Sequence, residues 1–267
     1  MEISDKILAK RNELAKDLIQ LQDIITEYFP LADIGSMHSA ITTLKNGKPI
    51  LCPYSELKSE YWGYKVSKLI FKLDANSKPK KIKPNDVGDL KLVINIHVVG
   101  NCEKFGSFDD PLLWLALDFR IEGEVIKEDS IAKVLTCYHL DRHIKNENDG
   151  ENEPHPFYHL QFGGRHLVNM DGNLDTGDLI VMDTPRVSHH PMDLVLSIDY
   201  LISYFFPKKR KTMINRSREY LLLIKKYQNA MLKPYYHRLS SHWKSEPESV
   251  TPSETTWSPI SIYPQIA

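Results

Sequence analysis

The stretch LLWLALDFRIE, residues 112–122, decides the fold class of this 267-residue chain. Leu115 and Leu117 alternate with Asp118 and Arg120. A period of two residues puts apolar and polar side chains on opposite faces of a β-strand. The stretch therefore predicts a strand whose apolar face packs on the core.

Three nearby segments predict further strands on either side of this one. They are LKLVINIHVV at 90–99, IAKVLTCYHL at 131–140 and FYHLQF at 157–162. Consecutive strands with short connections favour an antiparallel meander, because adjacent strands that run in opposite directions need only a turn between them.

Helices are predicted before and after these strands. Residues from about Ser4 to Phe29 carry apolar side chains at intervals of three and four, and Pro30 closes the pattern. This amphipathic segment predicts the first helix of the chain.

The segment PMDLVLSIDYLISYFF, residues 191–206, predicts a second helix. We expect Pro191 in its first turn, where a missing N–H is tolerated, and Asp193 beside the exposed backbone donors. A proline ends this helix, and Thr212 is expected to cap another that runs to about Leu232, before a further proline.

Together these patterns predict an α+β fold with an N-terminal helix, a central antiparallel sheet, two C-terminal helices and a flexible C-terminal tail. Residues 1–240 are expected to form a single domain, and 241–267 a Ser/Thr/Pro-rich tail. Trp243, Trp257 and Tyr263 could dock this tail on the body of the protein or on a partner.

The composition is that of a soluble globular protein, with 42% hydrophobic and 26% charged residues. No apolar run approaches the roughly 20 residues that cross a bilayer, and the N-terminus lacks a hydrophobic signal core. Cys52, Cys102 and Cys137 are far apart in sequence, which argues against a disulfide framework and a structural zinc site. We expect a cytoplasmic protein with no membrane association.

The net charge of −1 conceals a strongly basic segment. Residues 207–244 contain eleven lysines and arginines against a single acid, Glu219. Such a segment is a plausible footprint for phosphate backbones or an acidic partner. The alternative is a basic helix face that only contacts solvent.

The histidine-rich stretch NEPHPFYHLQFGGRHL, residues 152–167, is the first candidate site. Alternation along a strand places His159 and Gln161 on one face, opposite the apolar side chains, and His155 enters on the same side. A Gly-Gly turn follows, and Arg165 comes directly after it. Proton donors, acceptors and a fixed positive charge thus fall within a few residues.

The second candidate cluster is DTPRVSHHPMD, residues 183–193, just before a helix whose first N–H groups favour an anion. If the two clusters meet, they would surround one phosphate or carboxylate and suit phosphodiester or nucleotide chemistry. The predicted catalytic residues are His155, His159 and His189, and the predicted phosphate-binding residues are Arg165, Arg186, Lys208, Lys209, Arg210 and Lys211.

Two other interpretations stay open at this point. A metal variant of the site would use His155, His159, His189 and Asp183 as ligands for zinc or manganese, although no metal or other cofactor is assigned. A purely structural strand with hydrogen-bonded histidines is the second interpretation.

A third cluster, CYHLDRH, puts Cys137, His139 and Asp141 on one strand face, with His143 beyond. A Cys–His nucleophile is conceivable there. A half-buried cysteine with edge histidines is the commoner outcome for such a pattern.

The combination of HPFYHLQFGG (155–164), TPRVSHHPMD (184–193) and an aromatic-rich hydrophobic helix resembles uncharacterised prokaryotic proteins encoded beside helicases or nucleases in antiviral defence islands. The shared signature is HPxxHLxxG followed by PR, and the resemblance covers residues 154–206. It implies a component of a defence system and supplies no catalytic residues.

The order of elements is also similar to the ubiquitin-conjugating fold. His155 and Pro156 would match the first two residues of that family's HPN motif, but Phe157 replaces the asparagine and no cysteine follows at the nucleophile position. This similarity implies an interaction module without conjugating activity.

The sequence therefore predicts a cytoplasmic defence protein that binds nucleic acid or a nucleotide through a His/Arg site and a basic helix, with phosphodiester cleavage as the reaction such a site would perform. The alternative is a non-catalytic subunit that recruits a helicase, a nuclease or another effector.

Overall fold

Six antiparallel strands form one sheet in the order in which they occur along the chain. The computed structural model describes residues 5–46, 60–74, 77, 86–127, 130–142, 156–163, 186–243 and 257–264. The strands are β1 (Tyr61–Lys72), β2 (Gly88–Asn101), β3 (Leu112–Lys127), β4 (Ser130–Arg142), β5 (Tyr158–Phe162) and β6 (Val187–Ser188). The predicted antiparallel sheet and its four predicted strands are confirmed.

Strand β1 was not predicted as one continuous strand, and its irregular register explains why. The pairing of β1 with β2 shifts between Val66 and Leu69, and Lys68 has a positive φ of 58°. The N–H of Lys68 donates to Oδ1 of Asn95 at 2.9 Å. This bulge interrupts the two-residue period on which strand prediction depends.

The helices are α1 (Asp5–Tyr28), α2 (Met37–Lys45), α3 (Leu194–Phe205), α4 (Pro207–Arg216), α5 (Arg218–Tyr227), α6 (Lys233–Ser241) and α7 (Pro259–Ile262). A π-helical segment, Gln228–Leu232, joins α5 to α6. The N-terminal helix and the C-terminal helical region are confirmed. Helix α2 was not predicted.

Helix α3 begins later than predicted. Asp193 is its N-cap and accepts a hydrogen bond from the N–H of Leu196 at 3.1 Å, so Pro191 lies outside the first turn. The expected interaction of Asp193 with exposed backbone donors is confirmed.

The second predicted C-terminal helix is divided into shorter ones. Thr212 lies inside α4, and the capping residue is Ser217, whose hydroxyl accepts from the N–H of Tyr220 at 3.1 Å. Pro234 does not end the helical region, because it occupies the first turn of α6, where its missing N–H is tolerated.

One core lies between the helices and one face of the sheet. Its buried residues include Leu18 of α1 and Ile198 of α3 together with Ile94, Leu117 and Leu140 of the sheet. A one-sided layer of helices leaves the opposite face of the same strands to the alternate, mostly polar side chains.

Residues 257–264 of the predicted tail pack on this body. Trp257 is 5% exposed, and its ring lies 6.0 Å from Tyr235 and 6.5 Å from Tyr158, measured between centroids. Trp243 is 69% exposed. Among the described helices, none combines the length and the apolar character that a bilayer crossing requires.

Candidate metal centre on the polar face of the sheet

The sheet face that points away from the helices is called the polar face below. It carries two neighbouring rows of side chains that run across the strands. Pairing aligns His97, Ala116, Asp141, His159 and Ser188 in one row. The other row contains Asn95, Asp118, His139 and Gln161.

Three of these side chains form a cluster with the composition of a metal site. The ligand atoms of His139, Asp141 and His159 all lie within 4.8 Å of one another. Nε2 of His139 is 3.6 Å from Oδ2 of Asp141. Ligand atoms bound at about 2.1 Å to a tetrahedral zinc ion are about 3.4 Å apart, so no two ligand atoms of the cluster need to approach by more than about 1.4 Å to enclose an ion.

The fold fixes these three residues through strand register. His139 and Asp141 are two apart on β4 and therefore share a face. Asp141 pairs directly with His159 of β5, and the imidazole rings of the two histidines are 6.5 Å apart between centroids. Both histidines are buried, at 7% and 4% exposure.

The hydrogen bond of His159 orients its ring for metal binding. Nδ1 lies 3.3 Å from the carbonyl oxygen of Pro156. Because a carbonyl oxygen only accepts, Nδ1 carries the proton and Nε2 of the neutral ring holds the lone pair. Metal-binding histidines usually donate their second ring nitrogen in this way.

A second carboxylate lies beside the cluster. Asp118 on β3 pairs with His139, and burial together with the charge of Asp118 raises the pKa of Asp141 to about 7. A bound cation would reverse this effect, since a positive charge favours the ionised carboxylate. The cluster thus has the charge distribution of a cation site.

His159 and Gln161 share one face of β5, as predicted, but both side chains are buried. They lie opposite Tyr158 and Leu160, as alternation predicts, and are each only 4% exposed. His155, Arg165 and Asp183 lie outside the described residues.

The two predicted clusters are joined through the backbone of the sheet. Ser188 pairs with His159, and Val187 pairs with Leu160. Arg186 comes directly before β6, and alternation continued by one residue puts it on the side of Ser188, which is the polar face.

His189 lies on the other side of the sheet. Its N–H donates to the carbonyl of Tyr158 at 2.9 Å, and its ring contacts Tyr200 of α3 at 5.5 Å between centroids. Burial lowers the pKa of His189. The structure therefore does not bring the side chains of His159 and His189 into one site.

The four predicted phosphate-binding residues of α4 lie in the helix layer, away from the polar face. The guanidinium of Arg210 makes two hydrogen bonds to Asp199, at 2.7 and 3.0 Å. Nζ of Lys209 donates to the carbonyl of Tyr28 and sits 4.5 Å from the Phe29 ring centroid. Lys208 and Lys211 are exposed.

Cys137 is unsuited to the role of nucleophile. Its thiol is buried and lies 3.6 Å from the carbonyl oxygen of Gly163. Burial, together with the charge of Asp118, raises the pKa of Cys137 to about 11, so the reactive thiolate is scarce at neutral pH.

A surface depression of about 510 Å³ lies elsewhere, beside α2. Its lining residues are Gly35, His38, Ser39, Thr42, Thr43 and Asn46. With a single histidine and no carboxylate or cysteine in this lining, it offers little for catalysis or metal binding.

No family model, curated protein or solved structure matches this chain.

The sequence alone indicates that His139 and Asp141 share a strand face, but it does not connect them with His159. The available signal was an HxD pattern on one predicted strand and a histidine on the next. Whether these three side chains meet depends on the register of β4 and β5, and this register cannot be read from the sequence across the acidic segment between the two strands.

Proposed function

We propose that this protein is a metal-dependent phosphodiesterase that acts on nucleic acid or nucleotides, with its active site on the polar face. The proposal is carried by one observation, the convergence of His139, Asp141 and His159 within 4.8 Å. Two imidazoles and one carboxylate suit zinc or manganese. Three protein ligands leave a coordination position open for water or substrate.

The proposed reaction divides the work between the metal and the neighbouring side chains. The metal would lower the pKa of water toward about 7. Asp118 would accept the proton as the water oxygen bonds to phosphorus, and the P–O bond to the alcohol leaving group would break. The proton then passes to that leaving oxygen, so the products are an alcohol and a phosphate monoester.

Arg186 is the candidate for holding the phosphate group, as the sequence predicted. It comes directly before β6, and the pairing of β6 with β5, continued by one residue, places it opposite Gln161 on the polar face, two residues along β5 from His159. A guanidinium can bind two phosphate oxygens at once and stabilise the charge that develops on them.

Metal binding is the first test of the proposal. Metal-free protein is titrated with Mn²⁺ or Zn²⁺ by calorimetry. His139→Ala, Asp141→Asn and His159→Ala should each weaken binding by on the order of tenfold or more. His38→Ala, at an exposed histidine on α2, is the matched control and should bind as the wild type does.

Hydrolysis of bis(p-nitrophenyl) phosphate with each metal is the second test. Asp118→Asn should retain the metal and lose on the order of 100-fold in kcat, the range that general base catalysis supplies. A wild-type protein that binds neither metal refutes the proposal. Tight iron binding with oxygen consumption and no hydrolysis also refutes it, because two histidines and one carboxylate are the ligands of iron oxygenases too.

A second candidate function is a non-catalytic subunit that recruits a helicase, a nuclease or another effector. It is favoured by the exposed basic residues of the helix layer, which include Lys208, Lys211, Arg216, Arg218, Lys225 and Lys233. Charge reversal of Lys208 and Lys211 to Glu should then abolish binding to an acidic partner and leave metal binding unchanged. A role in antiviral defence stays a prediction from the sequence resemblance.

A further inference from the structure

Beside the metal cluster, the polar face carries a pair of aromatic side chains. His97 of β2 and Trp114 of β3 have ring centroids 5.9 Å apart, with an angle of 57° between the rings. Trp114 packs against Val99 and Tyr61, and both His97 and Trp114 remain partly exposed. They are named the aromatic pair below.

A small residue separates the aromatic pair from the metal cluster. Ala116 pairs with His97 on one side and with Asp141 on the other. Neighbouring strands are about 4.8 Å apart, so His97 and Asp141 arise from backbones about 10 Å apart. The methyl group of Ala116 leaves open the space between two larger side chains.

The imidazole of His97 offers a polar edge in this space. Its Nε2 is buried and has no hydrogen-bond partner within the part of the chain that the structure describes. Burial and the charge of Lys65 lower the pKa of His97, so its ring is neutral at physiological pH. A neutral imidazole beside an indole suits an uncharged planar group that can both stack and hydrogen-bond.

We propose that the aromatic pair binds the base of a nucleotide whose phosphate occupies the metal cluster. This inference rests on the proposed function and names its substrate class. The separation of about 10 Å is comparable to the length of a ribose with its phosphate, and Ala116 gives the sugar room. Base stacking on aromatic side chains is the usual means by which proteins bind unpaired bases.

The test compares ligands that contain only parts of a nucleotide. Manganese-loaded protein is titrated with adenosine monophosphate, adenosine and ribose 5-phosphate. Wild type should bind adenosine monophosphate about tenfold more tightly than ribose 5-phosphate, in line with the contribution of one stacked base. Adenosine has no phosphate, so its binding should persist in metal-free protein.

Variants of the aromatic pair then locate the base. Trp114→Leu should weaken adenosine monophosphate about tenfold and leave ribose 5-phosphate and Mn²⁺ affinities unchanged, whereas Trp114→Phe should retain binding. Trp243→Leu removes an exposed tryptophan and is the matched control. Should Trp114→Leu fail to fold, His97→Leu tests the same subsite.

Equal binding of adenosine monophosphate and ribose 5-phosphate overturns the inference, as does a Trp114→Leu protein that weakens both alike. Absence of Mn²⁺ binding overturns the proposed function instead, and the adenosine titration still tests the base subsite.

A 5′-phosphorylated trinucleotide identifies the source of the base. If the trinucleotide binds more tightly than adenosine monophosphate, the base belongs to a nucleic acid. If the two bind equally, the base belongs to a mononucleotide. Both results support the subsite.

Discussion

Replacement of Asp193 by asparagine should remove a large part of the pH dependence of folding stability. Asp193 caps α3 and is 1% exposed. Its carboxylate accepts hydrogen bonds from the N–H of Leu196 at 3.1 Å and from the hydroxyl of Tyr64 at 3.3 Å. Burial nevertheless raises the pKa of Asp193 to about 7, because these bonds offset only part of the desolvation cost of the charge.

The magnitude follows from the difference between the folded and unfolded pKa. An aspartate in an unfolded chain has a pKa of about 3.9, and its difference from the folded pKa of about 7 corresponds to about 4 kcal/mol at full ionisation. Because the folded pKa is higher than the unfolded one, Asp193 contributes this free energy to folding stability in full below about pH 4. The contribution is lost as the pH rises through about 7. Between pH 5 and pH 8 the loss is about 2.5 kcal/mol.

Asparagine keeps the cap oxygen and has no charge to bury. Asp193→Asn should therefore be more stable than wild type at pH 8, and its advantage should shrink by about 2.5 kcal/mol when the pH is lowered to 5. The measurement is urea denaturation followed by circular dichroism at several pH values. Asp23→Asn, at an exposed position of α1, removes the same charge and is the control.

Asp141 also has a pKa of about 7, but it is present in all three proteins and cancels in the comparison. Asp23→Asn should show the same dependence of unfolding free energy on pH as wild type. If Asp193→Asn shows that same dependence, the inferred cost of burying the charged carboxylate of Asp193 is contradicted.

Two further predictions concern the helix layer and the docked segment. Trp257→Ala should destabilise the fold by about 3 kcal/mol, whereas Trp243→Ala, at an exposed tryptophan, should change it by less than about 0.5 kcal/mol; equal losses in urea denaturation would contradict the docking of Trp257. Arg210→Ala should cost about 2 kcal/mol, because it leaves the largely buried Asp199 without its bidentate partner, and Lys208→Ala should be neutral. A neutral Arg210→Ala in the same assay would show that the ion pair contributes nothing to stability.

Local patterns made much of the fold predictable. The alternation in β2, β3 and β4 and the apolar spacing in α1 and α3 each repeat over many residues, so chance matches are rare. Strand β1 contains a bulge, and helix α2 is only nine residues long. Both signals are too short or too irregular to stand out in the sequence.

Only part of the candidate site could be predicted from such local patterns. The sequence placed His159 with Gln161, and His139 with Asp141, because each pair belongs to one strand. It also named both His159 and His189 as catalytic residues of one site, on the condition that their two clusters meet. The structure separates them by a sheet, since β6 pairs with β5 and directs Ser188 and His189 to opposite faces.

By itself, the sequence determined which side chains share a face within each strand and helix, because that property depends only on the local backbone period. The tertiary structure decided which strands are neighbours and in what register. Register is set by the packing of the whole apolar face against the helices and by the hydrogen bonds between strands. A one-residue shift between β4 and β5 would move His159 to the helix side, so the cluster of His139, Asp141 and His159 exists only in the folded sheet.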